Sequence, residues 1–237
     1  FARSELLGLP HANVARRTIE PRTVQKSFSV FIIFLLTFLL GLILLGITAE
    51  GNPRFIHLMF ETISALATVG VTANLTPELG KLALSIVMLL MFIGASPNST
   101  GSGIKTTTFG ILYLGVRTSL LNKRYIEYSK RRISWQLFNK ASTLVFIAFS
   151  YIMIMAILMM YFDRDKEPIK VLFELMSAFS TCGLSMGLTS WLSTPSQVIL
   201  LITMFLGRVG PLTIVLAFSR ERNVGKYKYP KENILIG

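Results

Sequence analysis

Four stretches of the chain, residues 27–49, 82–104, 141–162 and 175–207, contain no Asp, Glu, Lys or Arg. About 20 apolar residues cross a hydrocarbon core of roughly 30 Å as a helix. The first and third stretches therefore predict spanning helices, at 24–49 and 136–162. The fourth is too long for one span and predicts a short helix, a loop and a second helix. The same reading puts short helices at 55–68 and 168–181, a further helix from about 77 and another at 195–219. Thr76-Pro77 and Thr194-Pro195 read as helix starts, with Thr as N-cap and Pro in the first turn, where an N–H is not needed. Gln197 completes a capping-box spacing after Thr194, and Pro53 and Pro168 mark the short helices in the same way. The expected fold is all-α and integral to a membrane, in two units of long helix, short helix and long helix. A short helix that enters and returns at membrane depth has to be buried in protein or face water, because lipid offers no hydrogen-bond partners.

The two units share a sequence. Residues 60–72 read FETISALATVGVT and residues 173–185 read FELMSAFSTCGLS, at a constant offset of 113. Six of the thirteen positions are identical: Phe60/Phe173, Glu61/Glu174, Ser64/Ser177, Ala65/Ala178, Thr68/Thr181 and Gly70/Gly183. A repeated supersecondary unit outranks any single motif as a guide to architecture. The resulting divisions are a basic segment at 1–23, a first unit at 24–116, a basic linker at 117–135, a second unit at 136–219 and a tail at 220–237.

Charge orients the units. The chain carries a formal net charge of +12, with 52% hydrophobic and only 15% charged residues. Sixteen of its 24 Lys and Arg fall in residues 1–26, 117–134 and 220–237. The positive-inside rule places those three segments in the cytoplasm, and the span count puts all three on one side. The loops at 50–81 and 163–197 then open outside. Juxtamembrane placement explains the basic runs, which leaves nucleic-acid or calmodulin binding without support. The opening segment is polar and basic rather than an apolar signal region, and its start at Phe1 points to missing first residues. Cys182 is the single cysteine, so no internal disulfide forms.

The repeated loop has the ingredients for holding a dehydrated cation. Oxygen ligands have to replace water, and backbone carbonyls supply them where the chain is extended along an axis. Glycine allows the backbone angles this takes. Thr68, Val69, Gly70 and Val71 in one copy, and Thr181, Cys182, Gly183 and Leu184 in the other, are the candidate ligating residues. The preceding short helices would aim their partially negative C-terminal ends at the ion. Glu61 and Glu174 are expected near the outer helix ends, either raising the local cation concentration or only complementing the dipole and bonding to the loop. A Gly-rich packing turn between helices is the plain alternative for the whole motif.

Two features interrupt the apolar spans. After Phe92 comes GASPNSTGSGIKTTT at 94–108. Gly94, Ala95, Ser96, Pro97, Asn98, Ser99, Thr100, Gly101, Ser102 and Gly103 are helix-breaking, small or polar, and Lys105 follows. Below the candidate ligating loops such a segment could block or open a pathway; the alternative is an ordinary cytoplasmic loop. Gly103-Ile104-Lys105-Thr106 is not a phosphate-binding loop, because Gly and Lys are not adjacent. Arg208 stands within FLGRVGPLTIVLAF. An arginine at helix centre costs roughly 2.5–3.5 kcal/mol on the insertion scale. It is therefore expected to face the pathway near the 94–108 segment and repel cations, or else to snorkel at the cytoplasmic end, with Gly207, Gly210 and Pro211 permitting a kink.

TVGVT, TCGLS, GASPNSTGSGIKTTTFG and GRVGPLT together resemble the Trk/Ktr/HKT superfamily of K+ transporters, most of all its bacterial KtrB-type membrane subunits, across nearly the whole chain. The resemblance implies four linked repeats around one pore with a single filter glycine in each, of which this chain holds repeats three and four. It implies K+ as the transported ion at the filter carbonyls, with Na+ as a further ion of interest, an intramembrane gate at 94–108 and a membrane-embedded arginine at Arg208. It also implies a homodimer in the bacterial plasma membrane and a cytosolic RCK-type ring, KtrA-like, that binds ATP and ADP, so that this chain binds no nucleotide. The basic segment 117–134 and the tip of the gating loop are the candidate docking surfaces. Ala95, Asn98 and Ser102 depart from the glycines expected in such a gate. The competing reading is a two-pore-type K+ channel in which two chains form the pore, but neither loop reads TVGYG. A membrane enzyme using Glu61, Glu174, His57 or Cys182 finds no partner residues in the sequence.

Overall fold

The computed structural model describes residues 21–49, 54–72, 76, 79–94, 101–121, 125–128 and 131–210. The helices, in chain order, are α1 (Pro21–Thr48), α2 (Phe55–Ala67), α3 (Lys81–Phe92), α4 (Thr106–Leu120), α5 (Trp135–Phe162), α6 (Pro168–Ser180) and α7 (Thr194–Val209). The Val30–Thr48 part of α1 and the whole of α5 are long and apolar enough to cross a membrane. The 28 residues of α5 rise about 42 Å at 1.5 Å per residue. Phe31, Leu36, Leu40 and Ile47 on α1 and Phe146, Ile154 and Ile157 on α5 lie exposed, a surface suited to lipid rather than water. Trp135 opens α5, edge-on to Phe138 at 5.5 Å, and the Arg164 guanidinium sits 4.7 Å from the Tyr161 ring at its other end. Amphipathic rings at both ends of an apolar rod are interface anchors.

Helix α6 lies at the centre, packed on α3, α5 and α7. Its side chains divide between two cores. Phe173 is fully buried with Leu66, Ala83, Val87 and Met91 of α2 and α3. Leu175 and Phe179 are buried with Ala148, Ile152 and Met159 of α5 and Leu200 of α7. Small residues set the closest approaches. A methyl on Gly207 would overlap the Phe179 carbonyl, so α7 packs directly on the C-terminal backbone of α6. Gly207 therefore serves close packing inside a continuous helix rather than the expected kink. The described helix ends at Gly210, with φ +89°, and Pro211 lies outside the described residues.

Asp163, buried where α5 ends, accepts hydrogen bonds from the Ser193 N–H and the Ser193 hydroxyl, each at 3.0 Å. This ties the end of α5 to the start of α7. It also corrects the expected helix starts. Ser193 rather than Thr194 stands at the α7 N-cap, Pro195 is in the first turn as anticipated, and the Gln197 amide donates to the Leu192 carbonyl instead of closing a capping box. The described helix α3 begins at Lys81 after Gly80, and the Thr76 hydroxyl donates to the buried Glu61 carboxylate. Pro53 and Pro77 lie outside the described residues.

Two further differences concern the connections. The basic linker expected at 117–135 carries a small hairpin in an otherwise helical fold. Helix α4 continues to Leu120, and Ile126–Tyr128 (β1) pairs antiparallel with Arg131–Ile133 (β2). Ile126 is buried opposite Ile133, Glu127 faces Arg132, and the Arg132 guanidinium lies 4.0 Å from the Tyr125 ring. Opposite charges and apolar pairs across a ladder are what stabilise a hairpin. Between α3 and α4 the chain leaves at Phe92 and returns to the same place, since the Ile104 N–H donates to the Phe92 carbonyl at 3.1 Å. Twelve-residue α3 is too short to cross a bilayer alone.

Candidate functional site

The two copies of the repeat fold alike. Helix α2 ends with Thr68 in the left-handed conformation, φ 53°, and α6 ends with Thr181 at φ 49°. The Thr68 N–H donates to the Ala65 carbonyl and the Val69 N–H to Ser64. The Thr181 N–H donates to Ala178 and the Cys182 N–H to Ser177. This is the Schellman closure, which usually places glycine where these threonines sit. A β-branched residue there is strained, by about 1–3 kcal/mol, and the chain accepts it twice. The next-but-one residues, Gly70 and Gly183, also have positive φ, 78° and 92°. The chain thus leaves each short helix through αL-Thr, one further residue and a positive-φ glycine. No side chain other than hydrogen fits those glycine angles without strain.

The loops meet. A methyl on Gly70 would overlap the Cys182 carbonyl oxygen and lie 3.1 Å from the Gly183 Cα. The Cys182 thiol reaches the Ser64 carbonyl at 3.6 Å, linking second loop to first helix. Of the predicted ligating residues, Gly70 is thereby brought against Cys182 and Gly183, while Val69 and Val71 stay exposed. The C-terminal ends of α2 and α6, with their partial negative charge, both run into this junction. Among the described residues, the buried Ser64 and Thr68 hydroxyls have no protein partner, oxygens of the kind a cation or water would use. A cavity of about 290 Å³ between α6, the second loop and α7 is lined on its polar side by Glu174, Ser177, Thr181, Gly183 and Thr189.

Glu61 and Glu174 are not exposed outer carboxylates. Each sits within its short helix, 0% and 5% exposed, and bonds to the loop that follows. The Thr72 hydroxyl donates to Glu61 Oε2 at 3.0 Å and the Thr76 hydroxyl donates to Oε1. In the second copy the Ser185 hydroxyl donates to Glu174 Oε1 at 2.7 Å, the Thr189 hydroxyl to Oε2 at 2.8 Å and the Met186 N–H to Oε1 at 2.9 Å. Thr72/Ser185 and Thr76/Thr189 obey the same offset of 113. Thr76, expected as a helix cap, and Thr189, which carries no motif of its own, thus take the same place in the two copies. Extending the repeat four residues would have paired them.

The described part of the interrupting segment comes near the C-terminal end of α7 at Lys105. Gly94 and Ser102 are buried, Gly103 has φ +80°, and a methyl on Gly94 would overlap the Ser102 carbonyl. The Lys105 ammonium donates to the Gly101 carbonyl at 2.6 Å. Lys105 lies close enough to Arg208 to feel its charge, which brings the two cationic positions of the sequence reading together. Arg208 itself is exposed in the last turn of α7. Ala95, Ser96, Pro97, Asn98, Ser99 and Thr100 lie outside the described residues.

Two helices long and apolar enough to cross a membrane, around paired, carboxylate-braced loops, are the features of a membrane protein. Its sequence agrees: residues 77–228 match the family described as TrkH, cation transport protein. The chain belongs to that family and resembles its Ktr branch. It is 34% identical over 143 residues to Ktr system potassium uptake protein B of Vibrio alginolyticus, 60% of this chain and 31% of the relative. The corresponding protein B of Bacillus subtilis is 36% identical over 143 residues, 60% and 32% of the two chains. Potassium/sodium uptake protein NtpJ of Enterococcus hirae is 34% identical over 145 residues, 59% and 32%. The match takes in about a third of each relative's length and is narrower than the near-complete resemblance expected. The second loop, the interrupting segment and Arg208 fall within the family match, and the first loop precedes it.

Proposed function

We propose that this chain contributes two of the repeats of a K+ uptake pathway across the plasma membrane. Each repeat supplies one single-glycine filter loop, with carbonyl and hydroxyl oxygens of residues 68–71 and 181–184 as ligands for the passing ion. The observation that carries this reading is the paired geometry: two strained, glycine-containing loops leave the C-terminal ends of two short helices and meet. Ordinary packing turns gain nothing from αL threonine used twice. The potassium uptake named for the Ktr relatives supports K+ as the ion, and the name of NtpJ keeps Na+ as the ion to be compared. The 94–105 segment and Arg208 act as the gate: two cations beside a break in an inner helix raise the barrier to a passing cation. Outside this chain, the pathway is completed by further repeats, a second copy of the subunit and a cytosolic nucleotide-binding ring. The multi-component name "Ktr system" supports the last of these, and the β1–β2 hairpin with its basic residues is a surface such a ring could use. The chain transports rather than catalyses.

The test is K+ uptake by cells lacking their own uptake systems, expressing the complete gene product as wild type or Gly183→Ser. Gly183 is the better glycine for it, because a methyl there meets only the Gly70 Cα at 3.8 Å. Wild type is expected to restore uptake and the variant to raise the K+ KM sharply at equal abundance. Absence of uptake, or a KM indifferent to the substitution, overturns the proposal.

A further inference from the structure

We infer that Glu61 and Glu174 are positioning residues that set the ion preference of the two loops through a hydroxyl clamp. The inference rests on the filter reading above and extends it to residues outside the loops' own ligands. The argument begins with burial. A carboxylate withdrawn from water has to be compensated by hydrogen bonds or an opposite charge. Among the described residues the ion pairs are Lys166–Asp165 and Lys170–Glu167, and neither buried glutamate has an ion-pair partner among them. Their compensation comes from Thr72 and Thr76 in one unit, and from Ser185, Thr189 and the Met186 N–H in the other.

All of these donors lie on the chain that leaves the glycine, two to six residues beyond Gly70 or Gly183. Each loop is therefore held at both ends by its own short helix. The near end is fixed by the Schellman closure at Thr68 or Thr181, and the far end by the carboxylate one to two turns back along the helix. Only the residues around the glycine stay free to line a path. The hydroxyl oxygens of Thr72 and Thr76, and of Ser185 and Thr189, lie 3.1 and 3.3 Å apart, and each pair spends its protons on the one carboxylate it shares. Each carboxylate thus gathers two hydroxyls of its own loop. Two copies in one register, with hydroxyl residues at all four matching positions, are what a shared positioning role requires. Packing alone would accept valine in place of threonine.

The experiment replaces hydroxyls without changing shape. Thr76→Val and Thr189→Val are compared with Thr76→Ser and Thr189→Ser in the complete gene product, in cells lacking their own K+ uptake. Membrane abundance is measured beside K+ KM and the preference for K+ over Na+. A hydrogen bond to a charged acceptor is worth about tenfold in such a constant. The valine variants are expected to raise K+ KM about tenfold and to lose K+ preference at wild-type abundance, with serine restoring both. Wild-type KM and preference in the valine variants overturn the clamp. If Gly183→Ser shifts KM in the same cells while they do not, the filter stands and the clamp fails. If neither shifts it, both fail. Where a valine variant does not accumulate, Glu61→Gln and Glu174→Gln carry the test with the side-chain shape kept. If those also fail to accumulate, the glutamates serve folding and the positioning role is rejected.

Discussion

At the scale of single residues, the two loops look equivalent in sequence but differ in tolerance. Both glycines have positive φ, which costs an L-residue roughly 1–2 kcal/mol. At Gly70 a methyl also overlaps the Cys182 carbonyl, whereas at Gly183 it has room. Gly70→Ala is therefore expected to lower the amount of folded protein in membranes well below that of Gly183→Ala, by a further 1–3 kcal/mol or about that. Quantitative immunoblotting of membrane fractions decides it, and equal amounts would mean the loops do not touch in the assembled protein. Thr68 gives a prediction of the opposite kind. Thr68→Gly relieves αL strain, so abundance holds or rises, while removing the hydroxyl proposed as an ion ligand is expected to raise the K+ KM. A variant with unchanged KM would show that the Thr68 hydroxyl does not touch the ion.

At the scale of elements, α6 and α7 are held by backbone contact and α5 and α7 by side chains. Gly207→Leu drives a side chain into the Phe179 carbonyl and is expected to separate α7 from α6, with loss of extractable, monodisperse protein in mild detergent. Tyr151→Phe is expected to be mild. Its hydroxyl bonds Thr203 at 2.9 Å, but Thr203 keeps its own bond to the Ile199 carbonyl. Interhelical hydrogen bonds within membranes average about 0.6 kcal/mol. Thermal stability in detergent checks the pair, and a large loss from Tyr151→Phe with none from Gly207→Leu would reverse this ranking of contacts.

At the scale of the whole molecule, the testable quantity is topology. The basic hairpin of β1 and β2 and the mixed-sign loop after α5 lie at opposite ends of that helix. With the buried Cys182 giving little background, a cysteine placed at Asp165 is expected to react with an impermeant maleimide added outside intact cells. One placed at Glu127 is expected to react only after permeabilisation. Reaction of Glu127→Cys in intact cells would invert the protein in the membrane and remove the basis for a cytosolic partner at the hairpin.

Much of this protein is local and therefore readable from the chain. Helices α1 and α5 follow from uncharged stretches of sufficient length, α2 and α6 from Pro168 and the repeated Phe-Glu segment, and the two loops from Thr-x-Gly at a constant offset. The break after Phe92 follows from Gly94 and its small polar successors. Such signals lie in consecutive residues, because hydrophobic length, helix termination and backbone freedom act over one or two turns. What only the tertiary structure decided depends on residues far apart in sequence. Of the two roles open to Glu61 and Glu174, the fold decided for bonding to the loop, because their partners lie eleven to fifteen residues on. Thr194 lost its capping role because Ser193 holds the α7 cap while bonding Asp163, and the Thr76 hydroxyl is claimed by a buried carboxylate. The contact of Gly70 with Cys182, and of Gly207 with Phe179, could not be foreseen from spacing. Close approach of two backbones leaves only an absent side chain as its mark, and an absent side chain has many causes.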